Sequence, residues 1–180
     1  MTAESLAWCL KRSCAIVVTW FRVKYARGDI PRAVFATVRR TTYTSGKIFG
    51  GFRDLGIPTY AVVSMFTKAG PDVMRDEDRE TLSRLPSRFS VYRGTIGTGR
   101  QALWSLSWTT QQSVAATFAG LHHAYDNKPG VVFTGTVSKI DVLAYFSDRQ
   151  ESEVVVRPCR VRGIRLAEPL ADKAAQARAE

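Results

Sequence analysis

Cysteines, carboxylates and long apolar runs are all scarce in this 180-residue chain, and each shortage narrows what the protein can be. Three cysteines, Cys9, Cys14 and Cys159, are odd in number and lack metal-ligand spacing. Neither a disulfide framework nor a zinc site is expected, and a reducing cytosol is the natural compartment. The apolar run from Ser13 to Phe21 is too short to cross a bilayer and is flanked by Lys11, Arg12, Arg22 and Lys24. With no small-residue cleavage pattern after it, no signal peptide, anchor or membrane partner is expected. Only 16 Asp and Glu stand against 26 Lys and Arg, a formal charge of +10. That balance favours an anionic partner: nucleic acid, a phosphorylated small molecule, an acidic protein or an anionic membrane surface. The plainer alternative is a solvated basic surface that keeps the protein soluble.

What is present suffices for one core, since 45% of the residues are hydrophobic. The expectation is a single domain over 1–180, with a mainly helical part over 1–85, a β core over 86–166 and a tail over 167–180. Between Glu4 and Arg27 the residues Leu6, Leu10, Cys14, Val17, Phe21 and Tyr25 recur at spacings of three and four, one face of a helix that Gly28 and Pro31 stop. Val34 to Val38 and Tyr60 to Phe66 are either strands or buried helical turns, separated by Gly50-Gly51 and Gly56-Ile57-Pro58. Lys47 to Gly51 lacks the spacing of a phosphate loop. Asp72 to Glu80 opens a short helix that ends at Leu85-Pro86, with its acidic residues toward the positive end of the dipole.

After Pro86 the period changes to alternation. Arg88 to Arg93 reads as a strand that delivers Arg93 to its end, followed by a loop over Thr95 to Arg100. Leu103 to Trp108 reads as a second strand. Thr109 or Thr110 then caps a helix whose inner face is Val114, Ala115, Phe118, Ala119 and Leu121. Gly130 to Val137, Leu143 to Phe146, Glu153 to Val156 and Val161 to Leu166 are further strands. The pattern is α+β with a largely β C-terminal half.

Three short stretches carry chemistry. Glu151 and Glu153, two apart at the start of an apolar strand, are expected to project to one face and line one cavity, a pairing suited to glycoside-type chemistry. The alternative is a solvated strand edge. Arg93 beside Gly94 offers a permanent cation to a phosphate and a backbone that a planar ligand can approach. Ser107 and Thr109 offer hydroxyls to sugar oxygens and to a carboxylate.

The ordered set Tyr92-Arg93-Gly94, then Ser107-Trp108-Thr109 leading into an alanine-rich helix with Phe118, then Glu151-Ser152-Glu153-Val154-Val155-Val156 closely resembles the arginine-serine-glutamate class of mono-ADP-ribosyltransferases. The resemblance covers residues 86 to 166 and implies a split antiparallel β core that binds NAD. It implies that Arg93 contacts the NAD phosphates, that Gly94 bonds the nicotinamide amide through its backbone, and that Ser107 orients the catalytic Glu153. Tyr92, Trp108, Thr109 and Phe118 would complete the NAD site, although the family has a hydroxyl where Trp108 stands. Glu151 would ready the acceptor, as in arginine-modifying relatives, and no metal is required. The implied setting is a toxin or phage-related effector in the cytoplasm of a host or target cell, with NAD, an acceptor (protein arginine or RNA or DNA) and an antitoxin or inhibitor as partners.

Other readings compete. His122 and His123 at the end of the helix are candidate bases or dipole partners, and Arg93 occupies the place of the histidine of poly-ADP-ribose polymerases. Trp104, Trp108, Tyr145 and Phe146 are core or pocket wall in preference to base-stacking platforms. A non-enzymatic basic nucleic-acid-binding module is the main alternative. A relative on the same fold that handles RNA ends would need a histidine-centred signature, which is absent.

Overall fold

The computed structural model describes residues 27–29, 31–44, 58–96, 104–126, 129–147 and 150–167. The helix expected over Glu4 to Arg27 (apart from Arg27 itself), the Lys47 to Gly51 stretch and the tail beyond Ala167 lie outside the described residues. In chain order the elements are α1 (Arg32–Thr44), α2 (Thr59–Ala69), a 3-10 turn (Gly70–Val73), α3 (Asp76–Arg84), β1 (Arg88–Ile96), β2 (Ser107–Thr109), α4 (Gln112–Asp126), β3 (Gly130–Ser138), a 3-10 turn (Lys139–Asp141), β4 (Val142–Phe146), β5 (Glu153–Val156) and β6 (Arg162–Leu166). The architecture is α+β. Two compact units divide it, 1–84 with 143–148 and 85–142 with 149–180. The 84/85 boundary falls where the sequence period changes, but 143–148 clusters with the helical unit and not with the rest of the expected 86–166 core.

Both ambiguous stretches of the first unit are helical. Along α2 the residues Ala61, Val62, Met65, Phe66 and Ala69 are buried, the spacing of one helix face. Phe35 and Ala36 are buried on α1. Asp78 organises this unit from the first turn of α3, where it is fully buried. Its Oδ2 accepts from Arg40 Nη1 at 2.6 Å and from the Arg75 N–H at 3.2 Å, and its Oδ1 accepts from the Ser147 N–H at 3.0 Å and Ser147 Oγ at 2.6 Å. The Arg75 contact is half of a capping box, a side chain in the first turn reaching back to the amide before the helix. Arg40 in turn lies over the Phe146 ring, 5.1 Å from its centroid, and Phe66 packs on that ring at 6.4 Å. A carboxylate that the sequence places only in a favourable dipole position is therefore the polar centre of the unit.

The second unit is a sheet in the order β5-β2-β1-β3-β6, with every neighbour antiparallel. β1 runs to Ile96, past the expected end at Arg93, because it pairs with β3 without interruption from Arg88↔Ser138 to Ile96↔Gly130. β2 is shorter than expected and shifted toward Thr109. Ser105 contributes to this: its Oγ accepts from the Ser107 N–H at 3.2 Å and its carbonyl accepts from Trp108 Nε1, a local turn at the start of the strand, although the Leu106 carbonyl still accepts from the Val156 N–H at 2.8 Å. One sheet face is core, formed by Phe89, Val91, Trp108, Phe133, Val137, Val154 and Val156. Helix α4 lies over part of the other face. A Cβ on Gly94 would overlap the Ala115 carbonyl oxygen, and one on Gly130 the Ala119 carbonyl oxygen. Ala115 and Ala119 are buried on α4, whereas Phe118 and Leu121, expected on its inner face, are exposed.

Burial raises the pKa of Asp78, but the hydrogen bonds from Ser147 and Arg40 and the Arg40 charge outweigh it and hold the carboxyl below the ordinary aspartate value. A depressed folded-state pKa contributes stability above about pH 4 and loses it as pH falls further. Asp78→Ala removes the carboxylate that faces the nearly buried Arg40 guanidinium and is expected to cost about 3–5 kcal/mol at pH 7. Urea titrations of both proteins from pH 7 to 3 should show the gap closing at the acid end. A constant gap would mean that the ionised carboxylate is not what stabilises this unit.

Candidate functional site

Residues opposite one another in an antiparallel ladder share a face of the sheet. The pairs Glu153↔Thr109, Thr109↔Tyr92, Tyr92↔Thr134 and Thr134↔Arg165 therefore form one continuous row across five strands. Ser107, opposite Val155, lies on the same face, diagonal to Glu153. Across that diagonal Ser107 Oγ donates to Glu153 Oε1 at 2.5 Å. Behind Glu153 the three valines of β5 are fully buried, which fixes the strand that carries the carboxylate.

Arg93 reaches the same serine from the neighbouring strand. β1 and β2 pair at Tyr92↔Thr109. Arg93 Nη1 donates to the Ser107 carbonyl oxygen at 2.6 Å, which ties the two strands together beside that pair. The Cα of Arg93 belongs to the core-facing set of β1, one residue out of step with Tyr92. The structure thus gathers Arg93, Ser107 and Glu153 around Ser107, all three half-buried.

The remaining predicted site residues are distributed differently. The side of Gly94 that lacks a Cβ is filled by the α4 backbone, so close helix packing and not ligand approach requires glycine there. Thr109 is buried, and its hydroxyl donates to the Glu151 carbonyl at 2.7 Å while accepting from the Gln111 N–H at 3.1 Å. That hydroxyl is spent on the fold and not on a sugar oxygen. Trp108 is a core residue, 3% exposed, and does not line a pocket on the Glu153 face. Tyr92 is half-buried in the Glu153 row, and Phe118 is exposed on α4. Trp104 is exposed, whereas Tyr145 and Phe146 are buried in the first unit. The side chains of His122 and His123 lie outside the described ones.

Glu151 does not share a strand with Glu153. The strand begins at Glu153, and Gln150 and Ser152 have φ of 58° and 43°, a left-handed geometry that breaks the alternation from which a common face was expected. Three contacts tie this irregular segment to the turn before α4: Thr109 Oγ1 to the Glu151 carbonyl, the Thr110 N–H to the Ser152 carbonyl at 3.2 Å, and Gln111 Nε2 to Ser152 Oγ at 2.7 Å. Gln111, whose carbonyl accepts the first α4 bond from Ala115, takes the capping position expected of Thr109 or Thr110. Sequence reasoning passed over Ser105, Gln111 and Ser152. A polar run directly before a helical period was the available signal for Gln111.

Thr109→Val keeps the shape and removes the latch. It is expected to cost about 1–3 kcal/mol in urea unfolding, because it removes the buried hydroxyl that links the Glu151 carbonyl to the Gln111 N–H. Unchanged stability would show that the hydroxyl is available for some other contact.

The charged groups gathered here are a serine-held carboxylate and a guanidinium on the same serine. Compared with family models, with curated proteins and with solved structures, the chain finds no match in any of the three.

Proposed function

We propose that the protein is a mono-ADP-ribosyltransferase that cleaves the bond between nicotinamide and ribose in NAD and transfers ADP-ribose to a macromolecular acceptor, protein arginine or nucleic acid. The observation that carries this reading is the Ser107 Oγ to Glu153 Oε1 hydrogen bond, beside the Arg93 guanidinium on the same serine. Cleavage sends the bonding electron pair to nicotinamide and builds positive charge at the anomeric carbon. Glu153 opposes that charge from a position fixed by Ser107, so it acts more strongly on the transition state than on the ground state. Arg93 supplies a permanent cation for the diphosphate and, through its hydrogen bond to the Ser107 carbonyl, helps keep Ser107 in place. The acceptor nucleophile attacks the anomeric carbon and loses its proton, for which Glu151 is the candidate base. The setting we propose with it, on the family resemblance alone, is a toxin or phage-related effector in the cytoplasm of its target, restrained by an antitoxin or inhibitor protein.

A basic nucleic-acid-binding module without enzymatic activity is the second reading, supported by the formal charge of +10 and by Arg165 on the Glu153 face of the sheet. Nicotinamide release from NAD by the purified protein separates the two, since a binding module releases none.

Glu153→Gln preserves shape and removes the charge. Its loss is expected to lower NAD hydrolysis and transfer together by about a hundred- to a thousand-fold, or 2.7–4 kcal/mol, with the thermal midpoint nearly unchanged. Glu151→Gln, in contrast, should cripple transfer while sparing most NAD hydrolysis. Equal loss of both activities in the Glu151 variant would remove it from the acceptor step.

A further inference from the structure

The sheet face that carries Glu153 continues, beyond the cover of α4, into an arginine-rich surface. The Glu153 row ends at Arg165 on β6. The next rows add Ser90, Thr136 and Arg162, then Arg88 and Ser138. Arg88, Ser90, Thr136, Arg162 and Arg165 are exposed, whereas Thr134 and Ser138 are half-buried. Arg162 and Arg165 share this face only because of a bulge. Three steps along β6 answer two along β3 between Thr136 and Thr134, and Gly163 takes φ +60° within the extra residue. A regular strand would point one of these two arginines into the core. Beside them a cavity of about 420 Å³ is lined by Arg88, Thr136, Ser138, Arg160, Arg162 and the single carboxylate Asp141. Asp141 lies 3.6 Å from Arg160 Nε, and among the described residues Arg88, Arg162 and Arg165 have no ion-pair partner.

We infer that this face is the docking track for the acceptor, and that the acceptor is a single-stranded RNA whose phosphates lie on Arg88, Arg162 and Arg165 while an unpaired base reaches the Glu153 end of the row. The inference rests on the transferase reading for the role of Glu153, whereas the track itself stands on the arginines. Four inter-strand spacings separate Glu153 from Arg165, about 19 Å, which a few nucleotides span. Guanidinium groups separated by hydroxyls suit a phosphodiester backbone, to which Arg, Ser and Thr all donate. The serine and threonine hydroxyls also match the 2′-hydroxyl, itself both donor and acceptor. A single strand is favoured over a duplex because enzymes that act on a base need it out of the stack. The formal charge of +10 adds attraction for any polyanion.

The test uses the full chain carrying Glu153→Gln, titrated at several salt concentrations with a single-stranded RNA of about ten nucleotides, with DNA of the same sequence, and with vesicles containing an anionic phospholipid. Two triple variants are compared on that background: Arg88→Gln, Arg162→Gln and Arg165→Gln on the face, and Arg27→Gln, Lys68→Gln and Arg84→Gln elsewhere. The expected result is a fall of about 2 in the slope of log affinity against log salt for the face variant, at about 0.7 per phosphate on a single strand, and little change for the control. Equal slopes in both variants, DNA held as tightly as RNA, vesicles bound through these arginines without RNA, or no RNA binding at low salt would each overturn the assignment. Nicotinamide release by the unaltered protein without RNA is measured alongside. Its absence would remove the transferase reading, while the titrations would still decide whether the arginine face holds RNA.

Discussion

The antiparallel register of β5 on β2 and of β2 on β1 is the constraint on which the functional geometry depends. Because side chains alternate across the sheet, a slip of one residue between β2 and β5 would turn Ser107 toward the core and leave the Glu153 carboxylate without its hydrogen bond. Burial resists such a slip. Trp108 and Val154 pack into the core from opposite each other, so moving either would expose a large apolar group. The polar site is thus held by apolar partners one residue out of phase with it.

The short strand β2 concentrates several duties in three residues. Ser107 faces Glu153, Trp108 anchors the core, and the Thr109 hydroxyl fastens the segment before β5 to the turn that begins α4. Two residues that look chemically equivalent in the sequence, Ser107 and Thr109, are therefore separated by burial. One acts on a carboxylate at a half-buried site, and the other has its donor and an acceptor position occupied by backbone groups. Arg93 completes the arrangement by tying β1 to the Ser107 carbonyl beside the Tyr92↔Thr109 pair.

Much of this was legible in the sequence where a single physical signal dominated. The valine run after Glu153 marked β5 with its observed bounds, and the change of period after Pro86 marked the start of the sheet unit. Reading failed where local hydrogen bonding overrode periodicity. Ser105 turned the chain at the start of β2, and the left-handed Ser152 took Glu151 off the strand. The helices α1 and α2 were ambiguous because short apolar runs satisfy either period. The arginine face was hidden for a different reason: Arg162 and Arg165 are three apart, a spacing that means opposite faces in any strand without a bulge. Nor does Asp78 stand out from the acidic residues around it until Arg40 and Ser147 fold onto it.

The bulge at Gly163 also bears on how the protein coexists with its neighbours at high concentration. β6 ends the sheet, and a terminal strand offers unpaired amides and carbonyls to any extended chain that drifts alongside. Here the offer is spoiled twice. The extra residue breaks the spacing that a new strand would have to match, and the guanidinium groups of Arg162 and Arg165 would have to face those of a second copy laid against them. The irregularity that sets the arginines on one face thereby also makes this edge a poor template for a further strand.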